Sequence, residues 1–359
     1  MALKTFSPNN ITLIYLARRH SRLYAIVGLF ALLAVVGVAA MAIGTVDIPF
    51  SATLSILISK LPLVDFNPTW TSGMETIVLD IRLPRVILAG LVGAALAIAG
   101  ATYQGLFRNP LADPYLIGVA QGAALGAVIG FVLPVAWGRL GAEIVPLLAF
   151  IGALTGTAVV YVLARVGKTV PMTTLILAGV AVGALLGSIV SFLIISSGDK
   201  LHGIIFWLMG SFSLSRWSEV LLVLPYVIVG TGVIVLYARP LNLMQLDEEQ
   251  AQQLGINVER MKIILLISAT LITAAAVSFV GTIGFVGIII PHAVRLIWGP
   301  DYRFLLPLSV LSGAIFLIAA DLLARTVAAP TEIPIGVITA LCGAPFFLYL
   351  LRRRKRVLF

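Results

Sequence analysis

The sequence predicts an all-α protein that crosses a lipid bilayer about ten times. Three observations predict it. Of the 359 residues 60% are hydrophobic and only 11% are charged, giving a mean hydropathy of +1.10. A soluble chain of this size needs far more charge to cover its surface, so hydrocarbon must be its solvent. The apolar residues fall in long runs, and the basic residues stand at the ends of those runs. One bundle follows, rather than the two or three soluble domains that length alone suggests.

A crossing needs about 20 apolar residues. The runs that qualify are 24–45, 86–107, 116–134, 145–165, 175–195, 220–237, 263–279, 284–297, 305–327 and 335–351, the eighth being short. No small-residue cleavage signal follows the first run, which is expected as a retained span. An even count puts both termini on one side. With the termini cytoplasmic, 17 of the 24 Lys and Arg lie inside. The other 7 lie outside: Lys60, Arg82, Arg85, Arg139, Lys200, Arg216 and Arg325. That excess is the topology signal of an inner-membrane protein, and a miscounted span would scramble it. Lys4 leads the N-terminal basic group, and the tail from Arg352 to Arg356 reads as an anchor to anionic headgroups. The same placement argues against nucleic acid as the partner of the basic charge.

Three segments lie between or beside the runs. The external loop 46–81 contains Pro49, Pro62 and Pro68 and has room for a short surface helix. The cytoplasmic segment 239–262 contains Asp247, Glu248, Glu249 and Glu259 among glutamines. Its helix formers up to Leu254, with Gly255 placed to end a turn, predict two short helices outside the bilayer. The stretch 202–216 is apolar through Trp207, Met209 and Phe212 but too short to cross, so it is expected to be re-entrant or interfacial.

Catalytic chemistry finds little support. Cys342 is the single cysteine and allows no intrachain disulfide or thiolate metal site. His20, His202 and His292 lie on separate segments with no paired metal-ligand spacing, so no metal site is expected. Gly167-Lys168-Thr169 resembles the end of a phosphate loop, but the glycine required five residues earlier is Val162. Asp321 is the one acid near the middle of a run, and a helical pair with Arg325 accounts for it. The scarcity of midplane charge speaks against an ion-coupled secondary transporter. Two stripes, Gly122–Gly126–Gly130 and Gly179–Gly183–Gly187, predict close helix approach.

Ordered strings then carry a resemblance. They are Arg82-Leu-Pro-Arg85, 93–100, 104–114 with Gly118, Gly210-Ser-Phe, Gln253-Leu-Gly255, Gly284-Phe-Val-Gly287, Pro291-His-Ala-Val-Arg295, 320–325, Glu332-Ile-Pro-Ile-Gly336 and Gly343-Ala-Pro345. From Arg82 to Leu351 the chain resembles the permeases of binding-protein-dependent ABC importers for iron–siderophores, haem and vitamin B12, the type II importers. The resemblance implies a ten-span fold in which spans two to five and seven to ten form an inverted repeat. It implies a second copy of the permease, two ATPase subunits holding ATP and Mg, and a periplasmic or lipid-anchored binding protein. The chain itself would bind no cofactor. An iron–siderophore is the expected cargo, with vitamin B12 or haem as the alternatives. By the same resemblance Asp247, Glu248, Gln253, Leu254 and Gly255 couple to the ATPase. Arg82, Arg85 and Arg325 would meet carboxylates of the binding protein. Met172, Thr173 and Thr174 would form a cytoplasmic gate, with Gly179 and Gly183 beside the path, although Met172 is bulkier than a polar gate suggests.

Overall fold

The computed structural model describes residues 8–60, 70–133 and 141–358; Lys4, Pro62, Pro68, Pro134 and Arg139 lie outside them. The chain begins with α1 (Pro8–Ala42) and the short α2 (Phe50–Ser59). Next, α3 (Ser72–Thr76) continues through a π-helical turn, Ile77–Arg82, into α4 (Leu83–Leu106). A 3-10 turn, Pro114–Ile117, precedes α5 (Val119–Val132). Then come α6 (Gly141–Ala164), α7 (Met172–Ile195), the short α8 (Leu201–Leu208) and α9 (Trp217–Leu236). The small helices α10 (Ala238–Met244) and α11 (Glu248–Gln253) lead to α12 (Val258–Val280), α13 (Val286–Trp298), α14 (Tyr302–Thr326) and α15 (Ile335–Leu358).

A helix occupies each of the ten apolar runs, in order. Seven of the described helices are long and apolar enough to cross a membrane unaided. The other three, α5, α13 and the apolar part of α15, are shorter. At 14 and 13 residues, α5 and α13 reach only about 20 Å. Irregular backbone precedes both, and it is satisfied inside the protein, as hydrocarbon demands. The Tyr115 hydroxyl donates to the Ile283 carbonyl at 3.0 Å and accepts from the Ile283 N–H at 3.1 Å. The Gln104 amide donates to the carbonyls of Gly287 and Ile288, at 3.2 Å each.

One boundary differs from the sequence expectation. The second span starts at Ser72, inside the segment read as external loop, and runs unbroken to Leu106. The expectation followed the apolar run, which begins at Val86; Pro84, just before it, lacks the N–H a helix interior needs. Here the π turn just ahead of it takes up the mismatch, and the helix passes through.

Packing carries the repeat. Its central helices, α4 and α12, are 83% and 72% buried, against 17% for α7. The touching pairs map onto one another when each span is advanced by five. Thus α4 on α14 corresponds to α12 on α6, and α4 on α13 to α12 on α5. Likewise α5 on α6 corresponds to α13 on α14, and α6 on α7 to α14 on α15. An odd offset reverses direction, so the repeat is inverted.

Glycine sets the helix spacing. A Cβ at Gly93 would lie 2.2 Å from the Gly313 carbonyl oxygen, and one at Gly100 would lie 1.9 Å from that of Gly287. On the expected stripe, a Cβ at Gly126 would lie 1.9 Å from the Leu148 oxygen. The second stripe divides. Gly179 meets the Leu116 oxygen at 1.9 Å, whereas Gly183 meets only the Gln121 side chain at 3.7 Å. Gly126→Ala should therefore cost about 2 kcal/mol through forced helix separation. Gly183→Ala should leave the thermal midpoint in detergent unchanged, and equal midpoints for the two variants would contradict this packing.

Candidate functional site

The polar residues gather at the two ends of the bundle. One end, the loop face, carries α10 and α11. Asp247 caps α11, accepting from the Glu248 N–H at 2.8 Å, and pairs with Arg108 at 3.0 Å. The capping bond and then Arg108 hold its carboxyl below the usual range. Gly255 takes a left-handed φ of +85°, which ends the short helix. Asn257 then caps α12 by accepting from the Arg260 N–H at 3.0 Å. Gln252, Gly255, Ile256, Asn257, Val258 and Glu259 line an open cleft of about 360 Å³. Leu254 stands beside it, 61% exposed.

Three ties fix this face to the bundle. Lys262, almost fully buried, reaches Glu248 at 2.7 Å and Glu259 at 3.0 Å. Asp301 caps α14, accepts from Asn242 of α10 at 2.8 Å, and sits 3.7 Å from Arg22 of α1. Burial pushes the Asp301 carboxyl up, but hydrogen bonds from Arg303, Asn242 and the helix backbone outweigh that and take it down to about 2. Gln104 accepts from Arg295 at 3.0 Å, joining α4 to α13.

The hairpin between α6 and α7 lies at the same end. Val166 and Thr169 exchange backbone hydrogen bonds around Gly167 and Lys168. The phosphate-loop look-alike is therefore a tight turn that precedes α7 without forming its N-terminus. Thr174 donates to the carbonyls of Ala164 and Pro171 at 2.9 and 2.8 Å, so its hydroxyl closes the hairpin. Thr173 is exposed and Met172 half-buried.

The other end, the rim face, holds the three arginines. Arg82 is buried and donates to the Met41 and Ala42 carbonyls at 2.7 Å each, and to that of Val46. Arg325 is buried and donates to the Ala40 carbonyl. Together they cap the C-terminal end of α1, where free carbonyls and the helix dipole call for cations. Arg85 lies between Asp321 at 2.9 Å and Glu332 at 2.8 Å. Glu332 also accepts from the Ser213 hydroxyl. Burial would raise the Glu332 carboxyl, but Arg85 and Ser213 bring it below the usual range.

This geometry adds partners to two expectations. Arg82 and Arg325 complete a helix end, and Arg85 is engaged by two carboxylates of its own chain. The expected helical pair of Asp321 with Arg325 is present at 3.7 Å, and a closer one at 2.9 Å joins Asp321 to Arg85, 236 residues away. Sequence reasoning missed Glu332, Lys262 and Asn242 as partners; only their unusual charge or polarity beside apolar runs could have marked them.

The long-range ion pairs described above join segments assigned to the same side by the basic-residue count. A helical bundle of apolar crossings, with structured loops at one end and a paired rim at the other, defines a multi-pass membrane protein. The comparisons agree. Residues 32–353 match the FecCD transport family, and the chain belongs to it as a permease of the ABC-importer class. It is 47% identical over 335 residues to the cobalamin import system permease protein BtuC of Halobacterium salinarum, covering 89% of each chain. It is 44% identical over 296 residues to the hemin transport system permease protein HmuU of Yersinia pestis, covering 81% of this chain and 87% of the relative. Among solved structures it is similar to an inward-facing metal-chelate type ABC transporter. That match has a TM-score of 0.79 and 31% identity, and covers 91% of this chain and 98% of the other.

Two outcomes follow. Arg85→Ala strands the buried Asp321 carboxylate and should destabilise the protein by about 3 kcal/mol. Recovery in Arg85→Leu/Asp321→Leu checks that the stranded charge is the cause. Asp301 contributes stability that is fully present above its ordinary value of 3.8 and is lost as pH falls through about 2. The stability gap between wild type and Asp301→Asn should therefore hold steady above about pH 5 and close towards about pH 2.

Proposed function

We propose that this chain is the membrane subunit of an ATP-driven importer that passes a metal chelate from a binding protein across the inner membrane, with both termini cytoplasmic. ATP and Mg belong to two separate ATPase subunits that dock on the loop face, and a second copy of the permease completes the path. The observation that carries this reading is the preformed α10–α11 surface. Asp247 caps α11, Asp247 and Lys262 tie the surface down, and exposed Leu254 and Gln253 stand beside an open cleft. A surface so ordered yet so apolar at Leu254 suits a partner subunit, since water gives no reason to order it.

The second copy is placed against α7, whose Leu177, Leu185 and Phe192 are exposed. Met172, Thr173 and Thr174 then form the cytoplasmic end of the path, with Gly183 beside it. Gly179 packs on the loop ahead of α5 and supports the helix. At the rim, Arg85 with Glu332 is the pair that a binding protein reaches, while Arg82 and Arg325 hold α1.

For cargo, an iron–siderophore is the reading from sequence alone. The relatives reported above are named for cobalamin and hemin, which places those two chelates first for testing. Proteoliposomes holding the permease with its ATPase and binding protein should take up one of the three in an ATP-dependent way. Leu254→Glu should weaken co-purification of the ATPase about tenfold. Undiminished co-purification would remove α11 from the interface.

A further inference from the structure

Lys262 enters the proposed function only as a tie for the loop face, and its surroundings are unusual. It is 3% exposed at the start of α12, and its ammonium is held by two carboxylates on different elements. Glu248 belongs to the first turn of α11, and Glu259 to the first turn of α12. Each carboxylate faces the positive end of its own helix, which helps to keep both charged beside one cation. Glu259 has a second contact. While Oε1 accepts from Lys262, Oε2 accepts from the backbone N–H of Val170 at 3.1 Å.

Val170 is buried and lies one residue from Pro171, which caps α7. The hairpin it belongs to is stiff. Val166 and Thr169 are bonded at 3.0 and 3.1 Å, and Thr174 ties α7 back to the end of α6. A displacement of Val170 therefore moves the start of α7, because the connecting chain has no slack. α11 touches the bundle mainly through α10 and α12, and no direct pairing with α7 stands out among the described residues.

From this geometry we infer that Lys262 and Glu259 are positioning residues: a buried strut that transmits movement of α11 to the cytoplasmic end of α7. The chain of contacts is Glu248, Lys262, Glu259, Val170 and then Met172-Thr173-Thr174. The inference rests on the proposed function for the source of the movement, and on geometry alone for the mechanical link. Charge pairs suit the task better than apolar contact. Breaking one leaves an unpaired charge in a buried place, so the parts move together rather than slide.

Two measurements test it on a background in which Cys342 is serine. In the permease alone, spin labels at Glu249→Cys and Lys168→Cys report the distance between α11 and the hairpin. The distribution should be narrow with Lys262 present and broad in Lys262→Met. An unchanged distribution overturns the strut. In the full assembly, Lys262→Met and Glu259→Gln should keep ATP hydrolysis while the ATP consumed per cargo imported rises about tenfold. The reversal Glu259→Lys/Lys262→Glu restores opposite charges between these two positions but sets a like charge against Glu248 and cannot accept from Val170, so it should not restore coupling. Full coupling in the single variants, or full rescue by the reversal, contradicts the strut. An assembly in which wild type hydrolyses no ATP would defeat the proposed function instead, and the distance measurement would still judge the mechanical link.

Discussion

In hydrocarbon, no backbone N–H or C=O can be left without a partner, and the architecture of this permease follows from that constraint. Regular helices meet it within themselves. Difficulty arises wherever a helix stops short, and at those places the chain commits a buried polar side chain. The end of α1 uses Arg82 and Arg325. The irregular approach to α13 uses Tyr115, and the first turn of α13 uses Gln104. The polar interior thus completes backbones, and the carbonyls it serves fix where the helices lie.

The same constraint explains why the helices touch so closely. Lipid tails are as apolar as leucine, so hydrophobic burial gives little reason for one span to prefer another. Backbone contact at Gly93, Gly100 and Gly126 supplies the preference through packing. α4 and α12 carry most of it, and the repeat makes them equivalents. The exposed apolar faces of α7 and α9 lie away from this core, where a second subunit or lipid can cover them. Ordered charge is left to the two ends. The loop face is built from ties that span separate elements, as a surface that must move as a unit requires.

Much of the fold was legible because crossing a membrane demands long apolar runs and basic flanks, and both are local signals. The short helices α10 and α11 were legible from helix formers followed by Gly255. The beginning of the second span was not, since the helix extends beyond the apolar run into the charged stretch 72–85 and a π turn leaves no simple mark. The arginines at the rim show the limit most clearly. Their positive charge was readable, but Arg85 and Asp321 are 236 residues apart. One sequence does not reveal whether a guanidinium faces outward or completes the end of another helix. Val170 was invisible for a similar reason, because it acts through its backbone.

The account depends most on which side of the membrane the loop face occupies, and a membrane-impermeant maleimide reads this directly. On the Cys342→Ser background, Leu254→Cys should stay unlabelled in intact cells and react in inverted vesicles, while Leu214→Cys at the rim should do the reverse. Labelling of Leu254→Cys from outside intact cells would place α11 beyond the reach of any ATP-hydrolysing subunit, and the importer reading would be contradicted.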